Sequence, residues 1–351
     1  MNSDEQFRED FGLSGEKRVP KVNAPGFQLW ASGQLITVPG AYRDIPITAY
    51  HGAEICAGPS ISSTGLKVLA SEKGARTKGQ TPRHFWEGSS LNPNRAPRIV
   101  TDALRLGAAF HDALLLPEVF DRDYYVLPEG FSRAAKVKMA AEIAEADAAI
   151  AAGMTVLKVE ECIRTNAYVD AMRADELIAP LLTNGEAEVT FAWIDEETGV
   201  WCRARPDWMP LDLSCGLNVK TDQDASWSGF SKSIAKYGYA QSAALELDGY
   251  KAIFGETPSR YFHPVLEKPG ENWREGDYIA TALWELPFED IERGRWLNRM
   301  ALRTFADCLA SGKWPGYTAE AEFCGLPGYA RHIIDQGGAA EDADDQITGA
   351  N

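Results

Sequence analysis

The chain of 351 residues has few cysteines and no long apolar run, and both absences exclude classes of protein. Its six cysteines lie far apart and form no CxxC pair, which argues against a zinc ribbon or a disulfide scaffold and favours a reducing compartment. No stretch approaches the ~18 apolar residues of a membrane span, and the polar, acidic N-terminus is unlike a secretory signal. We therefore expect a cytoplasmic protein without a membrane partner.

Positive charge is also scarce, since 35 Lys and Arg face 51 Asp and Glu for a formal net charge of −16. This balance excludes a generally basic nucleic-acid coat but allows a local basic groove. The segment 67–98 is locally basic and contains Phe85 and Trp86. Its basic residues are Lys67, Lys73, Arg76, Lys78, Arg83, Arg95 and Arg98. The segment fits a path for a DNA backbone beside a stacking platform, or else a solvated loop with two core aromatics.

The hydrophobic period changes along the chain from helical to strand-like and back. Helical patterns cover 61–70, 101–116, 134–153, 158–175, 230–255 and 288–317. Strand-like patterns cover 186–195, 200–209, 217–221, 260–267 and 277–286. This order predicts an α/β protein with a mixed central sheet flanked by helices and a helical N-terminal embellishment. We expect a flexible arm at 1–45, a folded domain at 46–335 and an acidic, disordered tail at 336–351.

The most informative stretch is RPDWMPLDLSCGLNVKTDQDAS, because it brings an acid and an amine onto neighbouring strands. Asp207 lies near the end of one predicted strand, and Asn218 and Lys220 share one side of the next. Oxygen ligands of this kind can hold Mg²⁺ for phosphodiester hydrolysis, and an ammonium nearby can offset charge in the transition state. Each residue also has a structural alternative, such as a turn cap for Asp207 or a solvent-reaching Lys220.

These residues and their order resemble the PD-(D/E)XK nuclease superfamily, and within it the phage-type exodeoxyribonuclease VIII, the C-terminal nuclease domain of RecE. The resemblance rests on LGAAFHDALLLPEVF for the GxxxH helix, EAEVTFAWIDEETGVWCRARPDWM for the hairpin and KYGYAQSAALELDGY for the Gln helix. The segments ISSTGLKVLA, FWEGSSLNPNR and GKWPGY also match flanking regions. It spans residues 45 to 332 and implies a restriction-endonuclease-like core within an exonuclease domain.

The resemblance implies a metal site with four contributing residues. Asp207 is expected as the principal metal ligand, His111 as an auxiliary ligand from the helix, and Asn218 and the Val219 carbonyl as further ligands. Gly107, one turn before His111, is expected to let that helix approach the sheet closely. The implied ion is Mg²⁺, with Mn²⁺ able to substitute.

It also implies catalytic and DNA-binding residues. Lys220 is expected as the catalytic lysine, Glu188 as an acid that assists the metal or its water, and Gln241 as a contact to substrate phosphate or Lys220. DNA contacts are expected from Arg203, Arg205, Arg83, Trp86 and Tyr239.

Two positions depart from the family pattern. The pattern has Asp or Glu where this chain has Asn218, and an amide oxygen brings no negative charge to a metal. The chain is then a weak variant or an inactive form, or a nearby acid compensates, with Asp212 and Asp222 the nearest in sequence. The second departure is Leu245 in place of Tyr, which we expect to change packing or DNA contact more than chemistry.

The implied function is digestion of linear double-stranded DNA from 5′ to 3′, leaving single strand for phage or prophage recombination in the bacterial cytoplasm. The resemblance further implies a ring-shaped homo-oligomer, a tetramer, and a single-strand annealing partner of the RecT type. Three alternatives stay open. They are a DNA-end-binding subunit disabled by Asn218, an endonuclease on the same fold, and an acidic structural protein in which Asp207 and Lys220 do not converge.

Overall fold

A computed structural model of the chain describes residues 27–53, 55–70, 80–97 and 101–336. Most of the predicted N-terminal arm (1–26) and of the acidic tail (337–351) lies outside the described residues, as do Lys73, Arg76, Lys78 and Arg98 of the basic segment. The described chain divides into one unit that ends at Trp314 and a second unit that starts at Pro315. In the second unit, residues 328–336 are helical.

Thirteen strands are present in the described part of the chain. In chain order they are β1 (Gln28–Leu29), β2 (Gly40–Arg43), β3 (Ser60–Ser62), β4 (Tyr124–Val126), β5 (Thr155–Leu157), β6 (Gly185–Ala187), β7 (Thr190–Ile194), β8 (Trp201–Ala204), β9 (Trp208–Pro210), β10 (Gly216–Leu217), β11 (Lys220–Asp222), β12 (Tyr261–Glu267) and β13 (Thr281–Glu285). Ten α-helices of the first unit accompany them. These are α1 (Ile47–Tyr50), α2 (Ser63–Leu69), α3 (Pro82–Gly88), α4 (Asp102–Leu115), α5 (Pro117–Asp123), α6 (Ala140–Ala151), α7 (Val159–Ala174), α8 (Trp227–Tyr237), α9 (Tyr239–Phe254) and α10 (Phe288–Ser311).

The strands form two mixed sheets and one small pair. The first sheet has the order β1-β2-β7-β8-β3, and the second has the order β11-β12-β10-β9-β6, with β13 paired to β12. Strand β11, which begins at the predicted catalytic residue Lys220, pairs with β12 in parallel, and Lys220 is opposite Val265. We expected one central sheet, and the structure divides it into two.

The division occurs within the predicted hairpin 186–195/200–209. Its distal part, β7 with β8, belongs to the first sheet, whereas its proximal part, β6 with β9, belongs to the second. Between the two parts Glu188 has a left-handed backbone (φ 54°), and its N–H donates to the Asp207 carbonyl at 3.1 Å. A non-glycine residue at positive φ interrupts regular pairing, so the ribbon bends here from one sheet into the other.

Helix α9 occupies the core of the first unit, which explains why its apolar residues do not form a single stripe. Ala243, Ala244, Leu245, Leu247 and Tyr250 all belong to one buried cluster with residues of β7, β8 and α10. The predicted departure at Leu245 is therefore a core position, only 1% exposed. The packing fixes α9 against the strands that carry the candidate site.

Helix α10 crosses α9 at a glycine. A Cβ added at Gly294 would lie 2.3 Å from the Ala240 carbonyl oxygen, so only glycine allows this approach. A helix–helix crossing of this kind brings backbone against backbone and leaves no room for adjustment by a side chain.

Two boundaries differ from the sequence-based expectation. Residues 27–45 are not a free arm, because β2 pairs with β7 and both Ile36 and Ile45 are buried. Their apolar residues are separated by Gly, Pro and polar residues, so no period was visible in the sequence. The Ala-rich segment 134–153 is helical only from Ala140 to Ala151. No helix among the described residues is long and apolar enough to cross a membrane.

Candidate active site

The predicted acid, amine and imidazole converge at the bend between the two sheets. The Asp207 Oδ2 atom lies 3.7 Å from the Lys220 ammonium and 3.6 Å from the His111 Nδ1 atom. Asp207 immediately precedes β9, Lys220 begins β11, and His111 is presented from α4. This convergence excludes the structural-protein alternative in the form stated above, which required these groups to lie apart.

The residues fit a divalent cation. Oxygen or nitrogen atoms of His111, Glu188 and Asp207 all lie within 4.8 Å of one another. Asp207 Oδ2 is buried and has no hydrogen-bond partner in the described part of the chain. Burying a carboxylate oxygen in this way costs free energy unless a bound cation offsets its charge. Burial lowers the pKa of His111, opposed by Asp207, which keeps the imidazole neutral and able to ligate.

Glu188 is held by the strained bend and by Arg205. Its Oε2 atom lies 2.5 Å from Arg205 Nε, and the other end of the guanidinium donates to the Ile45 carbonyl at 2.9 Å. Burial, opposed by Arg205 and reinforced by Asp207, raises the pKa of Glu188 to about 7. A backbone strain of this kind is typical of functional positions, because the surrounding structure must enforce it.

Lys220 is oriented by its own strand and by an aromatic ring. Its ammonium donates to the Val219 carbonyl at 2.8 Å and lies 5.4 Å from the centre of the Tyr239 ring. The Val219 carbonyl retains a second lone pair, so its predicted role as a ligand is compatible with this bond. Lys67 lies over the same ring at 5.9 Å. The Tyr239 ring therefore contacts two cations at the site and can position both of them. Its contact with DNA stays a prediction.

Asn218 faces an acid that the sequence analysis did not identify. Its Nδ2 atom donates to Glu246 Oε1 at 3.1 Å, and the Tyr261 hydroxyl donates to Glu246 Oε2 at 2.6 Å. Glu246 is only 5% exposed, and burial raises its pKa to about 8. The signal available in the sequence was a single acid inside the apolar run AALEL of α9.

The backbone of Asn218 is held on both sides. Its N–H donates to the Phe262 carbonyl at 3.1 Å, and its carbonyl accepts from His263 Nδ1 at 2.8 Å. Burial, reinforced by Lys220, lowers the pKa of His263 to about 3, so this imidazole stays neutral. These bonds hold the main chain of Asn218 in place, and from there its side chain reaches Glu246.

The two acids proposed to compensate for Asn218 from sequence lie elsewhere. Asp212 accepts from the Ser214 N–H and Asp222 accepts from the Gln223 N–H, so each closes a local turn. Neither is among the residues that line the site cavity. Nearness in sequence suggested Asp212 and Asp222, but the packing of α9 over the strands places Glu246 beside Asn218 instead.

Several other predicted residues are structural in this conformation. Gln241 is buried, and its amide donates to Asn298 Oδ1 at 3.2 Å, which ties α9 to α10. Arg203 is also buried and donates to the Tyr50 carbonyl, which argues against direct contact with DNA. The motif that suggested a DNA contact for Arg203 could not show that Tyr50 of α1 covers it.

The remaining DNA-binding candidates lie on or near the surface. Arg83 is exposed and pairs with Glu87 one turn later, at 2.5 Å. Trp86 stacks on Trp314 with ring centres 5.2 Å apart, so it is part of an aromatic contact within the first unit. The prediction that Gly107 brings α4 close to the sheet is wrong, because a Cβ there would have no neighbour within 4 Å.

A cavity of about 320 Å³ opens onto the site. It is bounded by the ribbon, by α9 and by the N-terminal elements α1 and α2. Its functional lining residues are Lys67, Glu188, Arg205, Asp207, Asn218, Lys220, Tyr239 and Glu246. This volume is at the lower end of the range for small-molecule sites, ~300–1,000 Å³.

The mixed sheets, the flanking helices and the convergence of Asp207, Lys220 and His111 define the class as the PD-(D/E)XK nuclease superfamily. A family model described as "PDDEXK-like domain of unknown function (DUF3799)" matches residues 87–327. The chain belongs to this family, and the predicted α/β restriction-endonuclease-like fold is confirmed. Membership of the RecE-type exonucleases within this superfamily stays a prediction.

Solved structures agree on the fold. The chain is similar to a presumed exonuclease from Eubacterium rectale, with a TM-score of 0.50 and 15% sequence identity. The likeness covers 78% of this chain and 87% of the other. No curated protein matches the chain.

Proposed function

We propose that this protein is a divalent-metal-dependent exodeoxyribonuclease that digests linear double-stranded DNA. The observation that carries the proposal is the buried Asp207 Oδ2 atom, which lies between the His111 imidazole and the Lys220 ammonium and has no hydrogen-bond partner among the described residues. A structural ion pair would satisfy that oxygen at hydrogen-bond distance, whereas 3.6 and 3.7 Å leave space between the three groups.

The donor set suits a hard or borderline cation. Asp207 and Glu188 would hold it through oxygen and His111 through nitrogen, with the Val219 carbonyl in reach of the same site. Mg²⁺ prefers oxygen ligands, and an imidazole is better tolerated by Mn²⁺, so we expect both ions to support activity. The chemistry that such an ion supplies when bound is polarisation of the phosphate and acidification of a water molecule.

Side chains of the protein would stabilise the transition state and orient the attacking water. The Lys220 ammonium, fixed by the Val219 carbonyl, faces the place where negative charge develops on the phosphate and stabilises it. Glu188, whose carboxylate would hold the ion, would also orient the attacking water, and the proton of that water passes to solvent. Attack is in line with the leaving oxygen and forms no covalent bond to the protein.

The choice of an exonuclease over an endonuclease is supported by the RecE-like motifs. The 5′-to-3′ direction, the recombination role, the tetrameric ring and the RecT-type partner are supported by the RecE-like motifs alone.

Purified full-length protein with linear and supercoiled DNA, Mg²⁺ or Mn²⁺, and a chelator control tests the proposal. We expect digestion of linear duplex only, dependent on the ion, with 5′-labelled ends released first. Equal cutting of supercoiled circles would favour the endonuclease.

The second candidate is a DNA-end-binding subunit without catalysis, favoured by Asn218 at the family's acid position. It predicts affinity for DNA ends but no digestion with any ion or at any pH, and recovery of digestion in Asn218→Asp.

A further inference from the structure

The acid that the family pattern places at position 218 has a counterpart on α9. Glu246 accepts one hydrogen bond from Asn218 and one from Tyr261, and it lines the same cavity as Asp207 and Lys220. The strand therefore supplies an amide and the helix supplies a carboxylate at one place in the site.

The two residues are complementary in charge. A carboxylate at position 218 would lie close to that of Glu246, since the present contact is 3.1 Å, and like charges at that separation repel. With the amide in place, the pair offers one carboxyl group that can ionise when a cation binds, the same number as an acid at 218 facing a neutral residue at 246. The negative charge is relocated from the strand to the helix and is not lost.

A purely structural role explains Glu246 poorly. Both of its observed donors are neutral, and a buried carboxylate needs a cation or several hydrogen bonds to offset its desolvation. A glutamine would accept the same bond from Asn218 at lower cost.

We propose that Glu246 is a carboxylate of the divalent-metal site, and that Asn218 holds it in place. This inference rests on the proposed function and deepens it by assigning the missing acid. It requires the ion held by Asp207 and Glu188 to be within reach of the Glu246 carboxylate, which lines the same cavity.

Calorimetric titration of Mn²⁺ into the full chain tests the inference without relying on activity. We expect Glu246→Gln to weaken Mn²⁺ binding at least tenfold. The exchange variant N218D/E246Q, which moves the acid back to the strand, should recover affinity to within about threefold of the natural protein. The matched control is Asp248→Asn on the same helix, whose carboxylate pairs with Arg295 and does not line the cavity; it should bind normally.

Unchanged Mn²⁺ affinity in Glu246→Gln overturns the inference. A folded exchange variant that does not recover affinity also overturns it, and this variant decides alone if Glu246→Gln fails to fold. Digestion of linear DNA by the natural protein is measured in parallel. If that protein binds Mn²⁺ through Glu246 but does not cut DNA, the nuclease proposal fails and the metal site stands. If it cuts DNA and Glu246→Gln binds Mn²⁺ normally, only the relocation fails.

Discussion

The buried carboxyl of Glu246 predicts a stability that falls as pH rises, in the metal-free protein. Its pKa is about 8 in the folded chain, whereas an exposed glutamate has a pKa of 4.5. Between these values the folded state retains a proton that the unfolded state has released. The folded state is therefore favoured at low pH, its advantage declines as pH rises through this window, and it levels off above pH 8.

The size of the effect follows from the shift. A difference of about 3.5 pKa units corresponds to about 5 kcal/mol over the whole window, at about 1.4 kcal/mol per unit. Between pH 5.5 and 7.5 the expected loss is roughly 2–3 kcal/mol. Glu246→Gln removes the titrating group while keeping an acceptor for Asn218, so this part of the pH dependence should vanish.

Urea denaturation of both proteins with a chelator, followed by tryptophan fluorescence at pH 5.5, 6.5 and 7.5, measures the effect. Other titrating groups, including Glu188 and His263, are shared and cancel in the difference between the two proteins. We expect that difference to change by roughly 2–3 kcal/mol across the range. Parallel stability curves would refute the reasoning, since they would mean that Glu246 has the same proton affinity in both states.

The other predictions concern the remaining site residues and the packing around them. Lys220→Ala should reduce the rate of DNA hydrolysis by at least about 100-fold, measured by single-turnover digestion, because it removes the ammonium that stabilises the transition state. Its DNA affinity, measured by fluorescence anisotropy, should stay within twofold. A rate like that of the natural protein would exclude the catalytic role. His111→Ala should raise the Mn²⁺ concentration for half-maximal activity about tenfold or more, and an unchanged titration would make His111 a core residue. Gly294→Ala should lower the free energy of unfolding by about 1–3 kcal/mol, because its methyl group meets the Ala240 carbonyl. Gly107→Ala should raise it by up to about 1 kcal/mol, because the site is open and helical, and equal effects of the two substitutions would contradict the packing described.

The sequence could predict the class of fold and the convergence of Asp207 with Lys220, because both depend on short-range order. Strand parity, turn spacing and the linear order of motifs are local properties. The division into two sheets was not predictable, since it depends on a left-handed backbone at Glu188 that no residue type enforces.

Glu246 was missed for a related reason. A search along neighbouring positions favours acids close to Asn218 in sequence, such as Asp222. Packing of α9 over the strands instead brings together residues that are distant in the chain. The burial of Arg203 was missed in the same way, because the covering residue Tyr50 belongs to an N-terminal segment without a clear period.

The strand order has a consequence for biosynthesis. The strand that carries Lys220 is hydrogen-bonded to β12, which begins at Tyr261, and β10 also pairs with β12. During translation the ribosome must therefore release the chain beyond Glu267 before the amine can be fixed opposite Asp207. A nascent chain halted before that point carries every candidate ligand but no assembled centre.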